Sequence, residues 1–462
     1  MASVEPLEGQ GAGDKRTLRK VILASFIGTT IEWYDFFLYG TAAALVFNEL
    51  FFPNAEPLIG TLAAFGTFAV GFAARPIGGI VFGHFGDRVG RKSMLVISLM
   101  IMGIATFLIG LLPTHASIGV AAPILLVLLR FAQGIGVGGE WGGAVLMSVE
   151  HAPKGKRGFY GSWPQMGVPA GLLISTLVFA GVQSATTEQA FLAWGWRIPF
   201  LVSIVLVGVG LFIRLRVLES PAFQTVKDSG TQAPTPIIDV VKTYPRSVLV
   251  AMGMRVAENG TFYITTVFVL AYGVDTLELA KGTMLTGVII AAAIGLVTIP
   301  LYGSLSDRFG RRPLYMAGAL FSLAFAFPFF WLLDTKEPVL IWLAIVLGVN
   351  VGHDLMYGPQ AAFFSELFPT RLRYSGASLG YQLASVFAGG FAPLIAIALL
   401  AAGGGSPVLV AVYMAVMALI TVVATYFARE TFRDDVVETR PSEQRFVQKA
   451  KADREREPEP VA

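Results

Sequence analysis

Residues 83–92 read GHFGDRVGRK, and residues 303–312 read GSLSDRFGRR. Both stretches fit the pattern G-x-x-x-D-R-x-G-R-[KR], and the second begins 220 residues after the first. In each place an apolar run precedes the motif and another apolar run follows it. A charged motif that recurs at matching places in two halves predicts a duplicated membrane protein.

The composition also favours a bilayer. The chain has 462 residues, of which 55% are hydrophobic and only 14% are charged. About a quarter of the residues of a soluble domain are charged, whereas lipid accepts the apolar outer surface of a helix bundle. The net charge of +3 does not indicate nucleic-acid binding, and the lack of cysteine excludes disulfides and thiolate metal sites. The polar, acidic start of the chain is not typical of a cleaved signal peptide.

Twelve apolar stretches of about 20 residues or more are long enough to cross a bilayer as helices. They lie at about 19–47, 58–83, 93–112, 118–148, 159–183, 195–218, 246–272, 283–304, 313–333, 338–364, 375–401 and 407–429. The sequence therefore predicts an all-α membrane protein with twelve transmembrane helices in two pseudo-symmetric six-helix bundles.

The longest polar insert falls between the sixth and seventh stretches and divides the chain. The predicted segments are a cytoplasmic N-tail at 1–18, an N-terminal bundle at 19–218, a central cytoplasmic loop at 219–245, a C-terminal bundle at 246–429 and a cytoplasmic tail at 430–462. Polar and charged residues dominate that tail, so we expect it to be disordered.

The basic residues predict the orientation. Of the 34 lysines and arginines, 28 fall in, or within a few residues of, the two tails and the loops that join even-numbered to odd-numbered helices. Loops on the other side hold only Lys281 and Lys336. Because lysine and arginine are retained on the cytoplasmic side, both termini are predicted to be cytoplasmic in a multi-pass protein of the cell (inner or plasma) membrane.

The two motifs, twelve spans and central loop resemble the major facilitator superfamily, and finer marks resemble its metabolite:proton symporter family. These marks are IEWYDF at 31–36, RPIGG at 75–79, GGEWGG at 138–143 and WGWRIPF at 194–200. The likeness covers about residues 18–430. The marks that look most like the shikimate permeases are Arg255, Glu258 and the pair His353-Asp354. The 2-oxoglutarate, dicarboxylate and proline/betaine permeases share the rest of the frame.

Ionisable residues inside a span are functional candidates, because each costs about 2.5–3.5 kcal/mol to insert. Helical spacing places Glu32, Asp35 and Tyr39 on one face of helix 1. The residues predicted to couple protons are Asp35, Glu32, Glu258 and Asp354. The residues predicted to bind substrate are Arg75, Arg130, Arg197, Tyr39, Gln133, Glu140, Arg255, Asn350 and His353.

Arginine suits a carboxylate substrate because its planar fork donates two parallel hydrogen bonds. By resemblance, Arg75 sits where the oxoacid permeases place a substrate-binding arginine. The alternative interpretation is that these charges are structural ion pairs, for example Arg255 with Glu258 within one helix.

In the superfamily, the repeated loop resembles a latch that holds the cytoplasmic side shut. The residues predicted to gate are Gly83, Asp87, Arg88, Gly90, Arg91, Glu150, Gly303, Asp307, Arg308, Gly310, Arg311 and Glu366. Glu150 and Glu366 are the predicted partners of Arg91 and Arg311. The alternative is a topology signal alone, which needs the positive charges but not the aspartates or the glycines.

The resemblance implies a secondary transporter that carries a small carboxylate metabolite (shikimate-like, an oxoacid or a dicarboxylate) together with protons, by alternating access. A proton/betaine-proline symporter and a proton-coupled exporter are alternatives, although helix 5 departs from the G-P-x-x-G-G pattern of drug antiporters. A non-transporting sensor is a third class. An enzyme is not expected, because the chain has no cysteine and only four histidines. We expect no cofactor, metal, nucleotide or nucleic acid, and a functional monomer.

Overall fold

The computed structural model describes residues 10–89, 91–138, 140–150, 152–215, 236–368 and 373–433. Within these ranges the chain is helical and has no strand. The helices of the first half are α1 Gln10–Leu45, α2 Pro57–Val89, α3 Arg91–Leu111, α4 Ala121–Gly138 with Trp141–Glu150, α5 Arg157–Ala185, and α6, which runs from Glu188 through Phe191–Gly195 into Arg197–Leu215. Those of the second half are α7 Pro245–Tyr263 with Ile264–Phe268 and further turns to Thr276, α8 Lys281–Phe309, α9 Arg311–Asp334, α10 Pro338–Glu366, α11 Arg373–Ala384 with Ser385–Gly390 and Ala392–Ala402, and α12 Val408–Phe427.

Each predicted span therefore coincides with a helix. In the part of the chain that the structure describes, eight helices are long and apolar enough to cross a membrane, and α6 makes nine if its two parts, which meet at a 44° bend, form one span. The others are α1 and α7, which carry more polar residues, and α3, whose described side chains cover only Val96–Leu111. The count of twelve spans stays a prediction. The predicted central loop contains a short helix, Pro236–Thr243.

The polarity of the bundle is inverted relative to a soluble protein. Large apolar side chains such as Val205, Val297 and Trp331 are about two-thirds exposed on the outside, while charged side chains are buried inside. Such an outer surface fits a hydrocarbon environment, and the buried charges must then find partners within the bundle. The protein is a multi-pass membrane protein.

Helix α5 joins the two halves, because it packs on α1 of its own half and on α8 and α10 of the other. At one end of this contact the backbones touch: a Cβ on Gly303 would lie 2.7 Å from the carbonyl oxygen of Gly158. Only glycine permits this approach. We call this end of the bundle, where α5 begins and α8 ends, the motif face.

Three helices of the second half contain π-helical turns, at Ile264–Phe268 in α7, Leu347–His353 in α10 and Ser385–Gly390 in α11. A π-helical turn shifts the register of the side chains that follow it and occurs frequently at functional sites. Polar residues of these three helices meet in the interior, as described below.

Candidate functional site

A small cavity lies between the halves. Its volume is about 10 Å³, about the space that one water molecule occupies. The lining side chains come from α1, α2, α4, α5 and α11, and the polar ones are Thr29, Glu32, Arg75, Glu140, Gln165, Tyr381 and Gln382. Both halves thus contribute side chains to one interior pocket.

Arg75 is the cation of this cavity. Its side chain is buried, and its guanidinium carbon lies 4.4 Å from the ring centroid of Phe36 and 4.1 Å from that of Phe72. Among the residues that the structure describes, its Nε and Nη2 atoms have no hydrogen-bond partner. Aromatic rings therefore hold the guanidinium without using those two donors.

Arg130 lies behind the same aromatic wall and outside the cavity lining. Its guanidinium carbon is 4.2 Å from the ring centroids of both Phe36 and Tyr39. Its Nη1 donates to Gln133 Oε1 at 3.1 Å, and Gln133 Nε2 donates to Thr106 at 2.7 Å. Arg130 and Gln133 therefore form one polar chain across α3 and α4.

The acids of α1 separate into two environments. Glu32 lines the cavity, whereas Asp35 is buried next to Thr106 of α3. The Thr106 hydroxyl donates to the carbonyl of Met102, and neither carboxyl oxygen of Asp35 has a hydrogen-bond partner in the described part of the chain. Tyr39, one turn further, donates to Thr67 at 2.6 Å.

Glu140 also lines the cavity, and Ser98 of α3 donates to its Oε2 at 3.3 Å. Gln382 of α11 also lines the cavity and donates to the carbonyl of Gly138 at 3.1 Å. This bond joins α4 of the first half to α11 of the second. It closes the cavity on the side of Glu140.

In the second half, Arg255 is fully engaged, in contrast to Arg75. Its Nη1 contacts Glu258 Oε2 at 2.5 Å and Gln360 Oε1 at 3.0 Å, and its Nε donates to Ser385 at 3.1 Å. The Tyr381 ring lies 3.3 Å from its guanidinium carbon. The ion pair of Arg255 with Glu258 is present, as the structural interpretation of the sequence expected.

His353 extends this group of charges. Its Nε2 lies 3.2 Å from Glu258 Oε1, and its Nδ1 lies 2.8 Å from Asp354 Oδ1. The other oxygen of Asp354 accepts from Asn350 at 2.9 Å and from Thr298 of α8. Arg255, Glu258, His353 and Asp354 therefore form a continuous buried chain, which we call the histidine bridge.

The histidine bridge reaches the cavity through Tyr381, which lines the cavity and lies on Arg255. Tyr381 also stacks on Trp141 of α4, with ring centroids 3.7 Å apart. Gln165 of the cavity donates to the carbonyl of Tyr357, beside His353, at 3.4 Å. Side chains of both halves thus connect the bridge to the pocket.

Arg197 does not reach the pocket, and the prediction that it binds substrate needs correction. Its Nη1 donates to the carbonyls of Gly110 at 2.9 Å and Leu112 at 2.5 Å, and its side chain lies on Trp196. Because those carbonyls end α3, Arg197 satisfies helix-terminal acceptors. Its contacts are structural.

At the motif face, the second copy of the repeated motif joins the halves. Asp307 accepts from the backbone N–H groups of Gly158 at 2.8 Å and Phe159 at 2.9 Å, at the start of α5. Arg311 lies 2.7 Å from Asp307 and pairs with Glu366 at 3.3 Å. Arg311 and Glu366 thus make the contact that the sequence predicted for them.

The remaining gating candidates differ. Gly310 has a φ of 102°, which favours glycine, and it separates α8 from α9. Arg308 is exposed. Glu150 lies 3.8 Å from Arg373 of α11. Of the first motif, Gly90 and the side chains of Asp87, Arg88 and Arg91, together with the surroundings of Gly83, lie outside the described residues, so the predicted Glu150–Arg91 contact stays a prediction.

Two contributors to the motif face were missed, because the predicted disordered tail begins at residue 430. Glu430 accepts from the backbone N–H groups of Arg311 and Arg312, each at 3.0 Å, and so caps α9. Thr431 donates to Glu366 at 2.6 Å. The first tail residues are therefore bound to the bundle, and the prediction of disorder is wrong at Glu430 and Thr431. The sequence signal for this cap was an acidic residue shortly after the end of α12.

A helical bundle that buries charges around a pocket between two halves defines a membrane transport protein, and the comparisons with known proteins are specific. The family model described as Major Facilitator Superfamily matches residues 25–393. The chain belongs to this superfamily, whose members, including the relatives below, are transporters.

Curated relatives extend the match over most of the chain. The shikimate transporter of Escherichia coli (strain K12) is 45% identical over 90% of this chain and 95% of its own length. An inner membrane metabolite transport protein of the same organism is 42% identical over 89% and 94%. The proline/betaine transporter of Salmonella typhimurium (strain LT2) is 36% identical over 90% and 85%. The protein is accordingly a secondary transporter of metabolites.

Among solved structures, the xylose transporter XylE from E. coli, in a partially occluded inward-open conformation, matches with a TM-score of 0.69. The match covers 91% of this chain and 100% of that one at 20% sequence identity. At this identity the likeness concerns the fold, and it confirms the all-helical architecture of the superfamily.

Proposed function

We propose that the protein carries a small carboxylate metabolite together with protons, by alternating access between its two halves. The observation that carries the proposal is Arg75: a buried guanidinium in the central cavity whose Nε and Nη2 have no partner in the described residues. A buried unsatisfied cation costs several kcal/mol. An anionic substrate group that accepts those hydrogen bonds would remove much of that cost.

The balance of buried charge supports proton coupling. Away from the motif face, the described interior holds five buried carboxylates and three buried arginines: Glu32, Asp35, Glu140, Glu258 and Asp354 against Arg75, Arg130 and Arg255. A substrate anion adds a further negative charge to this excess. Because uncompensated charge is expensive in a low-dielectric interior, the anion should enter with protons that neutralise some of the acids.

Asp35 is the acid of α1 that best fits this role, since a buried carboxyl without partners is stable only when protonated. Glu32 lines the cavity beside Arg75 and would respond directly to substrate. In the other half, Glu258 and Asp354 flank His353. We assign substrate contact to Arg75, with Glu140, Gln165 and Gln382 able to meet polar groups of the ligand. Arg130 and Gln133 hold the aromatic wall behind Arg75.

A zwitterionic betaine or proline is the second candidate, because one relative is named a proline/betaine transporter. A quaternary ammonium group needs free aromatic faces. Here guanidinium groups already lie against Phe36, Phe72 and Tyr381, and they would repel a second cation. This arrangement favours a carboxylate without an adjacent positive charge.

The remaining features of the proposal follow from the sequence. We propose that both termini and the motif face are cytoplasmic, that 19–218 and 246–429 move as two bundles, and that one chain suffices for transport. Uptake by reconstituted protein separates the alternatives: a non-transporting sensor gives none, and an exporter moves substrate against the direction expected here.

The test is uptake of labelled carboxylates and betaines by proteoliposomes with a pH gradient, acid outside. We expect accumulation of a carboxylate, and Arg75→Lys should weaken its affinity about tenfold or more, because lysine keeps the charge but loses the planar fork. Arg246→Lys, at an exposed arginine, is the matched control and should leave affinity unchanged. Accumulation of a betaine that is insensitive to Arg75→Lys would contradict the carboxylate assignment.

A further inference from the structure

The histidine bridge holds His353 between two carboxylates. Glu258 Oε1 lies 3.2 Å from Nε2, and Asp354 Oδ1 lies 2.8 Å from Nδ1. A neutral imidazole has one N–H, so only one of these two contacts can be a hydrogen bond. The other contact would oppose the lone pair of a ring nitrogen to that of a carboxylate oxygen. The observed geometry is therefore satisfied by one proton more than neutral His353 and two carboxylates provide.

We propose that His353, held between Glu258 and Asp354, binds a proton that is cotransported with the substrate. This inference rests on the proposed proton symport and deepens it, since the sequence placed His353 among the substrate contacts. The proton completes both hydrogen bonds of the imidazole.

The net charge of the bridge depends on whether the proton is bound. With the proton bound, Arg255 and His353 balance Glu258 and Asp354; without it, the bridge carries one net negative charge. The titratable or charged groups of the surrounding elements that face the bridge are Tyr263 on α7, Tyr302 on α8, Tyr315 on α9, Tyr357 on α10, Tyr381 on α11 and, across the cavity, Arg75 on α2. None of these tyrosines supplies a compensating positive charge.

The same geometry links the proton to the substrate. Glu258 Oε2 is shared by Arg255 and Gln360, while its Oε1 faces His353. Loss of the proton leaves a negative charge beside Arg255, and Tyr381 connects Arg255 to the cavity. An anion in the cavity is therefore disfavoured when the bridge is unprotonated. By linkage, an anion that binds must raise the affinity of the bridge for its proton.

The first experiment compares His353→Gln with the wild type in proteoliposomes. Glutamine can still donate to one carboxylate but cannot take up a proton. We expect loss of accumulation driven by a pH gradient, while substrate exchange at equal pH persists at reduced affinity, because the bridge then keeps its net negative charge. His115→Gln makes the same change at a histidine outside the cavity and should accumulate normally.

Accumulation by His353→Gln at the wild-type level would overturn the inference while leaving the proposed function in place. Absence of pH-driven accumulation in the wild type would instead overturn the proposed proton symport itself. The two failures are thus distinguishable in one assay.

A second measurement guards against a variant that does not fold. The affinity of purified protein for the substrate is measured over a range of pH, which reports the protonation that is linked to binding. Asp354→Asn keeps side-chain hydrogen bonding to Asn350 and Thr298 but removes one carboxylate from His353. We expect the pH at which affinity falls to half to move by about one unit or more toward acid. No movement, or loss of the pH step in Asp35→Asn alone, would overturn the inference.

Discussion

The carboxylate of Asp307, at the end of α8, accepts hydrogen bonds from the backbone N–H of Gly158, at the start of α5, with Oδ1 and nitrogen 2.8 Å apart. This bond crosses from one half of the transporter to the other. It places a negative charge at a helix N-terminus, where unpaired N–H groups and the helix dipole favour it. A basic topology signal needs no such contact, and we therefore propose that this bond helps to close the motif face.

The first prediction concerns this bond. Asp307→Asn should weaken closure of the motif face by about 1.5–3 kcal/mol, the size of a hydrogen bond to a charged group, because it removes the charge from both α5 and Arg311. A cysteine at Ala144, which lines the cavity, should then react about tenfold faster with a membrane-impermeant thiol reagent. Because the chain has no native cysteine, the thiol reagent can label only the introduced one.

Arg308→Gln is the control for this experiment, since Arg308 is exposed beside Asp307. It should leave both labelling and uptake unchanged. If Asp307→Asn shows wild-type labelling and wild-type uptake, the motif acts as a topology signal and does not close the motif face.

The second prediction tests the same closure by steric means. Gly303→Ala places a Cβ 2.7 Å from the carbonyl oxygen of Gly158, and such overpacking costs about 1–3 kcal/mol. We expect slower transport and faster labelling of Ala144→Cys, without loss of substrate affinity. Gly208→Ala in α6, where no atom lies within 4 Å of the added Cβ, should behave as wild type.

The third prediction concerns the cap that follows α12. Glu430→Gln removes the charge that binds the N–H groups of Arg311 and Arg312, at a cost of about 0.5–2 kcal/mol. We expect a lower unfolding temperature and a modest increase in labelling at the motif face. Thr335→Val, at an exposed threonine on the other end of α9, controls for unspecific loss of polarity. An unchanged unfolding temperature would show that the cap contributes no stability.

The fourth prediction concerns Asp35 of α1, whose carboxyl oxygens have no hydrogen-bond partner among the described residues. Asp35→Asn imitates a permanently protonated Asp35, so the variant should exchange substrate but fail to accumulate it against a gradient. Accumulation and counterflow in the same proteoliposomes are the measurement. Glu337→Gln, the same acid-to-amide change at an exposed position, should retain accumulation. If Asp35→Asn still concentrates substrate when the proton gradient is the sole driving force, Asp35 does not couple the proton.

The sequence alone determined the class of protein, the positions of the helices and most of the charges inside them. A hydrophobic run of about 20 residues has few alternatives to a spanning helix, and the repeated motif marks matching places in two halves. The pairing of Arg311 with Glu366 was also predicted, from an arginine of the repeated motif and an acid just after the tenth apolar stretch. These inferences use local patterns or internal repetition, which need no knowledge of which helices touch.

The tertiary structure decided which charges are partners. Arg75 and Arg255 are both arginines within predicted spans, so the sequence does not distinguish their roles. In the structure, aromatic rings surround the guanidinium of Arg75, whereas four polar groups or rings contact that of Arg255. Helical periodicity places a side chain on one side of its own helix but does not say which helix lies opposite. Helix packing places Arg197 outside the pocket and Glu430 at the motif face. It also places His353, the last residue of a π-helical turn that spacing rules do not anticipate, between two carboxylates.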